Sequence, residues 1–144
     1  TLVLHTPQGT LGFINYNQFI TGGEEQAFQD LANIRDDVDY LIVYTHWGNE
    51  YVQENQVLID LAHRFVDAGA DLIIGSHPHV ITGHETYKDA HIYYSLGNFI
   101  FDQYFDAEVK KGLVVLATIH PKTKETSVVE HTVTLEPTGQ TELE

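Results

Sequence analysis

Two apolar runs separated by an amphipathic segment form the clearest pattern in the chain. Residues 40–44 (YLIVY) are apolar throughout, which is typical of a central parallel strand covered on both faces. Residues 72–74 predict a second buried strand. Between them, residues 53–68 carry apolar side chains at helical spacing, and Gly69 stands where a C-terminal cap belongs. The pattern predicts a strand–helix–strand unit with a right-handed parallel crossover.

A shorter strand and helix are predicted before this unit. Residues 11–16 (LGFINY) have the apolar character of a strand. Residues 24–34 place apolar side chains on one face of a predicted helix. Thr21 and Glu24 have the spacing of a capping box, which would start that helix.

The C-terminal part of the chain has the pattern of β-structure. Residues 92–96 predict a strand, and residues 112–119 and 127–135 predict an antiparallel hairpin across the loop 121–126. The tail, residues 136–144, is polar and is expected to fray. We therefore predict one α/β domain over the whole chain, with parallel strands followed by an antiparallel hairpin.

The composition excludes several classes of protein. The 144 residues include 7 Lys plus Arg against 21 Asp plus Glu, a formal net charge of −14. So few cations exclude a basic surface for nucleic acid or for anionic lipid. The absence of Cys excludes disulfides and thiolate zinc sites. Nine His in so acidic a chain suggest metal binding, although an acidic surplus is also typical of a soluble surface.

The start of the chain raises a question about its origin. The chain contains no Met, so we expect a processed product or a portion of a longer protein. Its apolar runs are too short to span a bilayer. Attachment to a membrane is therefore expected only through an N-terminal anchor that precedes this sequence.

Histidines follow both of the buried strands. His46 comes directly after the first, and His77 and His79 follow the second. Ligands of parallel sheets bind outside the carboxyl ends of the strands, so the two clusters should lie side by side. Pro78 disfavours the helical region at His77, and in an extended segment His77 and His79 would project to the same side. Three imidazoles at one edge predict a site for zinc, iron, manganese or nickel.

Each of these residues also has a simpler interpretation. His46 alone could be an ordinary loop residue, and the His77–His79 pair could be a polar turn. Glu50 could be a solvated acid, and Trp47 could serve only packing. Asn98, which follows a glycine at the end of a later strand, could orient a ligand or stabilise the turn. The six other histidines have no predicted partners and are assigned to the surface or to a supporting shell; they are His5, His63, His84, His91, His120 and His131.

Four motifs in this order resemble one protein family. They are THWGNEY (residues 45–51), AGADLIIGSHPHV (residues 68–80), E-x-Y (residues 85–87) and YSLGNFIFD (residues 94–102). Together they resemble the bacterial capsule synthesis proteins of the CapA/PgsA type, which are associated with poly-γ-glutamate capsules. That family is placed in the calcineurin-like metallophosphoesterase superfamily.

The resemblance implies a fold and a set of site residues. The superfamily has a four-layer α/β/β/α sandwich with two metal ions, here expected to be Mn, Fe or Zn, at strand ends. Its metal-binding histidines match His46, His77 and His79, of which His79 would bind one ion and the other two the second. Glu50 and Asn98 lie in family motifs and are candidate catalytic residues, and Trp47 is the candidate for substrate binding.

The chain also departs from the superfamily. The aspartate motifs and the Asn-His motif that precede the first matching histidine are absent here, and His5 stands in a Leu-His-Thr-Pro context. The resemblance therefore implies the C-terminal portion of a larger domain, without the carboxylates that bridge the ions. We expect impaired catalysis from this chain alone, and an exposed sheet edge that invites homodimerisation or strand exchange.

Two functions follow from these considerations. The first is a metal-dependent phosphoester hydrolase of capsule or poly-γ-glutamate biosynthesis, acting outside the cytoplasm at the cell surface or on a membrane anchor. The alternative is a non-catalytic scaffold or transport component for an anionic cell-envelope polymer. A nickel or zinc store is a third and weaker interpretation, because the histidines are dispersed along the chain.

Overall fold

The computed structural model describes residues 1–143, which form two sheets and two α-helices. In chain order the elements are β1 (Leu2–Thr6), β2 (Gly9–Asn17), α1 (Gly23–Ile34), β3 (Tyr40–His46), α2 (Gln56–Asp67), β4 (Leu72–Ser76), β5 (His84–Tyr87), β6 (Ala90–Tyr93), β7 (Lys111–His120), β8 (Glu125–Leu135) and β9 (Thr141–Leu143). Neither helix has the length and apolar character needed to cross a membrane.

The first sheet has the strand order β1-β2-β3-β4-β6-β5. Its four inner strands are parallel, and the antiparallel strands β1 and β5 form its edges. The parallel pairing of β3 with β4 around α2 confirms the predicted crossover unit. The second sheet, β7-β8-β9, is antiparallel and contains the predicted hairpin.

The side chains of β3 explain why its sequence is apolar at successive positions. Leu41 and Val43 point to the face on which α1 and α2 pack. Tyr40 and Ile42 point to the opposite face, where they contact the side chains of the second sheet. A strand between two packed layers has no polar face, because alternate residues are buried on both sides.

The α/β class is therefore confirmed, with three layers in the described part of the chain: helices, first sheet and second sheet. Assignment to the four-layer metallophosphoesterase sandwich stays a prediction.

Two predicted helix starts differ from the structure. The N-cap of α1 is Gly22, which has a φ of 75° and makes no side-chain capping bond, so the predicted capping box at Thr21 is wrong. Backbone bonds form this turn instead, including one from the Gly23 N–H to the Ile20 carbonyl at 2.9 Å. Helix α2 begins at Gln56, three residues later than predicted, because the side chain of Asn55 caps it by accepting the Leu58 N–H.

The C-terminal tail is also more ordered than predicted. Residues 141–143 form β9 and pair with β8, in the register Val133↔Leu143 and Leu135↔Thr141. The expectation that the tail frays is thus wrong for these residues, while residue 144 lies outside the described part of the chain. The pairing uses backbone bonds, so the polar side chains gave no sign of it.

Among the histidines that were predicted to lack partners, His63, His84 and His91 have aromatic or charged neighbours. His63 on α2 lies 2.8 Å from a Glu85 carboxylate oxygen, and that oxygen also accepts the Tyr94 hydroxyl at 2.5 Å. His84 stacks on Tyr93 at 4.1 Å between ring centroids. The ring nitrogens of His84 and His91 approach to 3.3 Å.

Asp71 joins three separate segments at the base of the first sheet. Its carboxylate accepts the Leu41 N–H at 2.8 Å, the Arg35 guanidinium at 3.0 Å and the Lys124 ammonium at 2.7 Å. The side chain of Asp71 is only 13% exposed, so these bonds are partly shielded from water. They tie the end of α1 and the β7–β8 turn to the start of β3.

We predict that Asp71→Asn lowers the free energy of unfolding by about 2 kcal/mol. The substitution removes the negative charge between Arg35 and Lys124, and the NH2 group of the asparagine would point at one of these two cations. Chemical denaturation followed by circular dichroism measures the change. Asp37→Asn, at an exposed aspartate, is the control and should change stability by less than about 0.5 kcal/mol. Equal effects of the two substitutions would contradict this role for Asp71.

Candidate metal centre

The two histidine segments lie side by side at the carboxyl edge of the first sheet. His46 is the last residue of β3, and it is in register with Ser76, the last residue of β4. Just beyond them, the Trp47 N–H donates to the Ser76 carbonyl at 3.1 Å. The parallel pairing of β3 and β4 thus places His46 beside the loop that carries His77 and His79.

The three imidazole rings form one cluster. The ring centroids of His46 and His77 are 4.6 Å apart, and those of His77 and His79 are 5.8 Å apart. His46 is exposed, whereas the other two are half-buried. The sequence-based prediction that the three side chains converge agrees with this placement, and their binding of metal stays a prediction.

The backbone reaches this arrangement by a different route from the one predicted. His77 has a φ of 102° and His79 a φ of 60°, so the segment is not extended. Left-handed geometry in residues other than glycine costs about 1–3 kcal/mol each, and it persists only where the surroundings fix it. Here the Tyr51 N–H donates to the Pro78 carbonyl at 2.8 Å and anchors the middle of the turn.

Asn98 is buried behind His79 and fixes its ring. Its side-chain oxygen lies 2.8 Å from Nδ1 of His79, and its amide nitrogen donates to the Val109 carbonyl at 2.8 Å. The second bond fixes which end of the amide faces His79. Since an amide oxygen only accepts, Nδ1 must carry the proton, and Nε2 of His79 keeps the lone pair that a metal needs.

Glu50 brings a carboxylate to the same place. Its oxygen and one ring nitrogen each from His77 and His79 all lie within 4.8 Å of one another. His46 is not part of this group; its Nδ1 makes a long 3.5 Å contact with the Ser76 hydroxyl. Two imidazoles and one carboxylate are donors that suit zinc, manganese or iron, so the residues fit a divalent cation.

The electrostatics of His77 favour the form that binds metal. Partial burial, followed by the neighbouring His46 and His79, lowers the pKa of the His77 imidazole, and Glu50 opposes this shift. A lowered pKa keeps the ring neutral at physiological pH, and only the neutral ring offers a lone pair.

Trp47 lies beneath the cluster and not on its surface. The side chain is 0% exposed, and its indole N–H donates to the Tyr94 carbonyl at 2.8 Å. Contact with a substrate would require this ring to leave its buried hydrogen bond, so the placement argues for packing and against the predicted substrate contact.

Three aromatic side chains that were not among the predicted site residues surround the histidines. Phe19 packs on His77 with ring centroids 4.7 Å apart, and Phe101 stacks on His79 at 4.8 Å. Tyr51 lies 6.2 Å from His79. All three are exposed, by 58%, 41% and 42% respectively. The apolar run after Gly97 was the available signal for Phe101, but no local pattern pointed to Phe19.

Comparison with known proteins gives one family. The model of the family described as "Bacterial capsule synthesis protein PGA_cap" matches residues 6–103, which is more than half of the chain. The matched stretch includes His46, Glu50, His77, His79 and Asn98.

Two curated relatives carry names of the same kind. "Capsule biosynthesis protein CapA" of Bacillus anthracis is 52% identical over 66 residues, covering 45% of this chain and 16% of the relative. "PGA biosynthesis protein CapA" of Bacillus subtilis (strain 168) is 45% identical over 74 residues, covering 51% of this chain and 20% of the relative. The match thus spans a fifth or less of the length of these relatives.

The tautomer of His79 tests the role of Asn98. We predict that the metal-free chain carries the His79 proton on Nδ1, and that Asn98→Ala moves it largely to Nε2, because the acceptor that holds it is gone. Nitrogen-15 NMR of the imidazole at a pH where the ring is neutral measures this. The same variant should lose about 1–3 kcal/mol of stability, because the Val109 carbonyl loses its buried donor.

Asn49→Ala is the matched control, since Asn49 is exposed on the nearby loop. It should leave both the tautomer and the stability unchanged. If His79 keeps its proton on Nδ1 without the Asn98 side chain, then Asn98 does not orient the ring.

Proposed function

The chain belongs to the bacterial capsule synthesis protein family PGA_cap, and from that membership we propose that it forms the metal-binding part of a capsule or poly-γ-glutamate biosynthesis protein that hydrolyses a phosphoester. The observation that carries the proposal is the cluster of His46, His77 and His79 with Glu50 at the carboxyl edge of a parallel sheet. A capsule is assembled outside the cell membrane, so we place the protein at the cell surface.

The residues of the chain have distinct roles in this proposal. The ring nitrogens of His77 and His79 would hold a divalent cation, with His46 beside them for a second ion or for the substrate. When bound, the cation would polarise a phosphoryl oxygen and lower the pKa of a bound water. Asn98 contacts His79 and not the open side of the cluster, so it is a positioning residue and not the catalytic residue predicted from its motif.

The charge of the chain restricts how an anionic substrate could bind. With a net charge of −14, the protein repels a polyanion at long range. A bound cation reverses the sign locally, and Glu50 is the carboxylate whose charge it would offset. Productive binding of a phosphoester or of an anionic polymer would therefore depend on the metal.

The exposed aromatic residues favour a second candidate, a scaffold or transport component without catalysis. Phe19, Tyr51 and Phe101 surround the histidines and are open to contact with other molecules. Such a protein would keep the fold, and capsule formation would not require the metal.

Phosphodiester hydrolysis tests the first proposal. We expect the complete gene product that contains this chain to hydrolyse bis(p-nitrophenyl) phosphate with Mn²⁺ or Zn²⁺, and His77→Ala or His79→Ala to lower kcat/KM by at least about 100-fold. His120→Ala, at an exposed histidine on β7 in the second sheet, is the control and should retain activity. No turnover above that of the free metal would contradict the proposal.

Capsule formation in cells separates the two candidates. If the protein acts as a hydrolase, the gene that encodes the His77→Ala variant should fail to restore capsule to a strain from which the gene has been deleted. Restoration by that variant, together with a lack of turnover in the purified protein, would support the scaffold.

A further inference from the structure

A second pair of histidines lies on strands β5 and β6, where the edge of the first sheet faces the second sheet. His84 pairs with Tyr93 across these strands, and Thr86 pairs with His91. Because cross-strand partners lie on the same face of a sheet, His84 and His91 share the face of Tyr93, which packs toward the second sheet. Glu130 of β8 meets them from that sheet, and its Oε1 accepts the Tyr93 hydroxyl at 2.6 Å.

This group is separate from the metal centre described above. In the sheet order β3-β4-β6-β5, the edge strand β5 is three places from β3, which carries His46. At about 4.8 Å for each strand, three places are about 14 Å of sheet width. The pair therefore cannot share an ion with His46.

The ring nitrogens of the two histidines have the spacing of two ligands of one cation. Nε2 of His84 and Nδ1 of His91 are 3.3 Å apart. Two nitrogens that are each bonded to a tetrahedral zinc ion at about 2.0–2.1 Å lie about 3.3–3.4 Å from each other. As a hydrogen bond between the rings, the same distance is above the usual range. The spacing thus suits a bound cation better than a shared proton.

Glu130 and Tyr93 orient the ring of His84. The Oε1 atom of Glu130 faces Nδ1 of His84 at 3.3 Å, while the other ring nitrogen, Nε2, faces His91. A carboxylate only accepts, so it favours the proton on Nδ1 and leaves the lone pair on Nε2. Metal-binding imidazoles commonly have such a carboxylate at their second nitrogen. The ring also stacks on Tyr93, with centroids 4.1 Å apart, and this contact fixes its plane.

The surroundings keep His84 neutral and accessible. Partial burial lowers the pKa of the His84 imidazole; Glu130 opposes this shift, His91 adds to it, and Glu85 opposes it. A neutral ring offers the lone pair that a cation needs. The side chains of His84 and Glu130 are 31% and 40% exposed, so a cation can reach the pair from solvent.

We propose that His84 and His91 form a second divalent-cation site, with Glu130 as the carboxylate that orients His84. Two imidazoles suit Zn²⁺, and water would fill the remaining coordination positions. Both histidines belong to the first sheet and Glu130 to the second, so the bound cation would strengthen the contact between the two sheets. This site goes beyond the proposed function, because it does not depend on hydrolysis or on the cluster at the carboxyl edge.

Nitrogen-15 NMR of the imidazoles tests the site on the whole 144-residue chain, because it reports on each histidine separately. We expect Zn²⁺, added beyond one equivalent, to shift the resonances of His84 and His91 together. His91→Gln should abolish the shift at His84. Glu130→Gln keeps the shape and the acceptor for Tyr93 but removes the charge, and it should weaken binding at the pair by about 10-fold or more.

Two further variants separate loss of a ligand from other effects. His131→Ala is the matched control, because His131 is exposed and adjoins Glu130 on β8 but points to the opposite face of that strand. It should leave Zn²⁺ binding at the pair unchanged. His84→Phe keeps a ring to stack on Tyr93, so it should melt like the parent chain without metal and yet show no shift at His91.

The inference is overturned if Zn²⁺ leaves His84 and His91 unshifted, or if His131→Ala weakens the binding as much as His91→Gln does. It is also overturned if the exposed residues His120 and His131 shift at the same Zn²⁺ concentration as the pair, since the binding would then be adventitious. Shifts at His77 and His79 are read in the same spectra, so failure of this site is distinguished from failure of the metal centre.

Discussion

The hydrogen bond from the Trp47 indole to the Tyr94 carbonyl is the contact on which the site depends. It passes across Gly75, where an added Cβ would lie 2.0 Å from the Tyr94 oxygen and 2.6 Å from the indole nitrogen. No side chain fits between them, so only glycine permits the approach. Because Trp47 follows β3, Gly75 lies in β4 and Tyr94 follows β6, this one bond spans β4 and joins the ends of β3 and β6. Its donor and acceptor are both buried, and losing either would cost about 1–3 kcal/mol.

Those strand ends carry the groups that meet at the edge of the sheet. His46 lies just before Trp47, His77 and His79 lie just after Gly75, and Asn98 lies shortly after Tyr94. The left-handed backbone at His77 and His79 is unfavourable by itself, and it is maintained by these anchored neighbours. The strands thus act as a rigid base, while the strained turn directs two imidazoles toward Glu50.

Much of the fold could be predicted from the sequence, because it follows from local patterns. The apolar run of β3, the amphipathic spacing of α2 and the strand-forming residues of β7 and β8 each predict an element from a few neighbouring residues. Pairings that depend on distant backbone were missed: β9 adds to β8 through its main chain, and α1 starts from a glycine turn. Neither has a side-chain signature, so the sequence could not reveal them.

The candidate site was predictable to the same extent. Parallel pairing explains why His46, His77 and His79 meet, since each follows a buried strand. The alignment of Glu50 with His77 and His79 depends on bonds to Gln18 and Pro78, which lie at least 28 residues away along the chain. The burial of Trp47 depends on its contact with Tyr94, 47 residues away.

Anomalous X-ray diffraction from crystals of the chain grown with Mn²⁺ or Zn²⁺ would test the site most directly. We predict one peak bonded to Glu50, His77 and His79, whereas a peak whose ligands omit Glu50, or no peak at this edge of the sheet, would contradict the account.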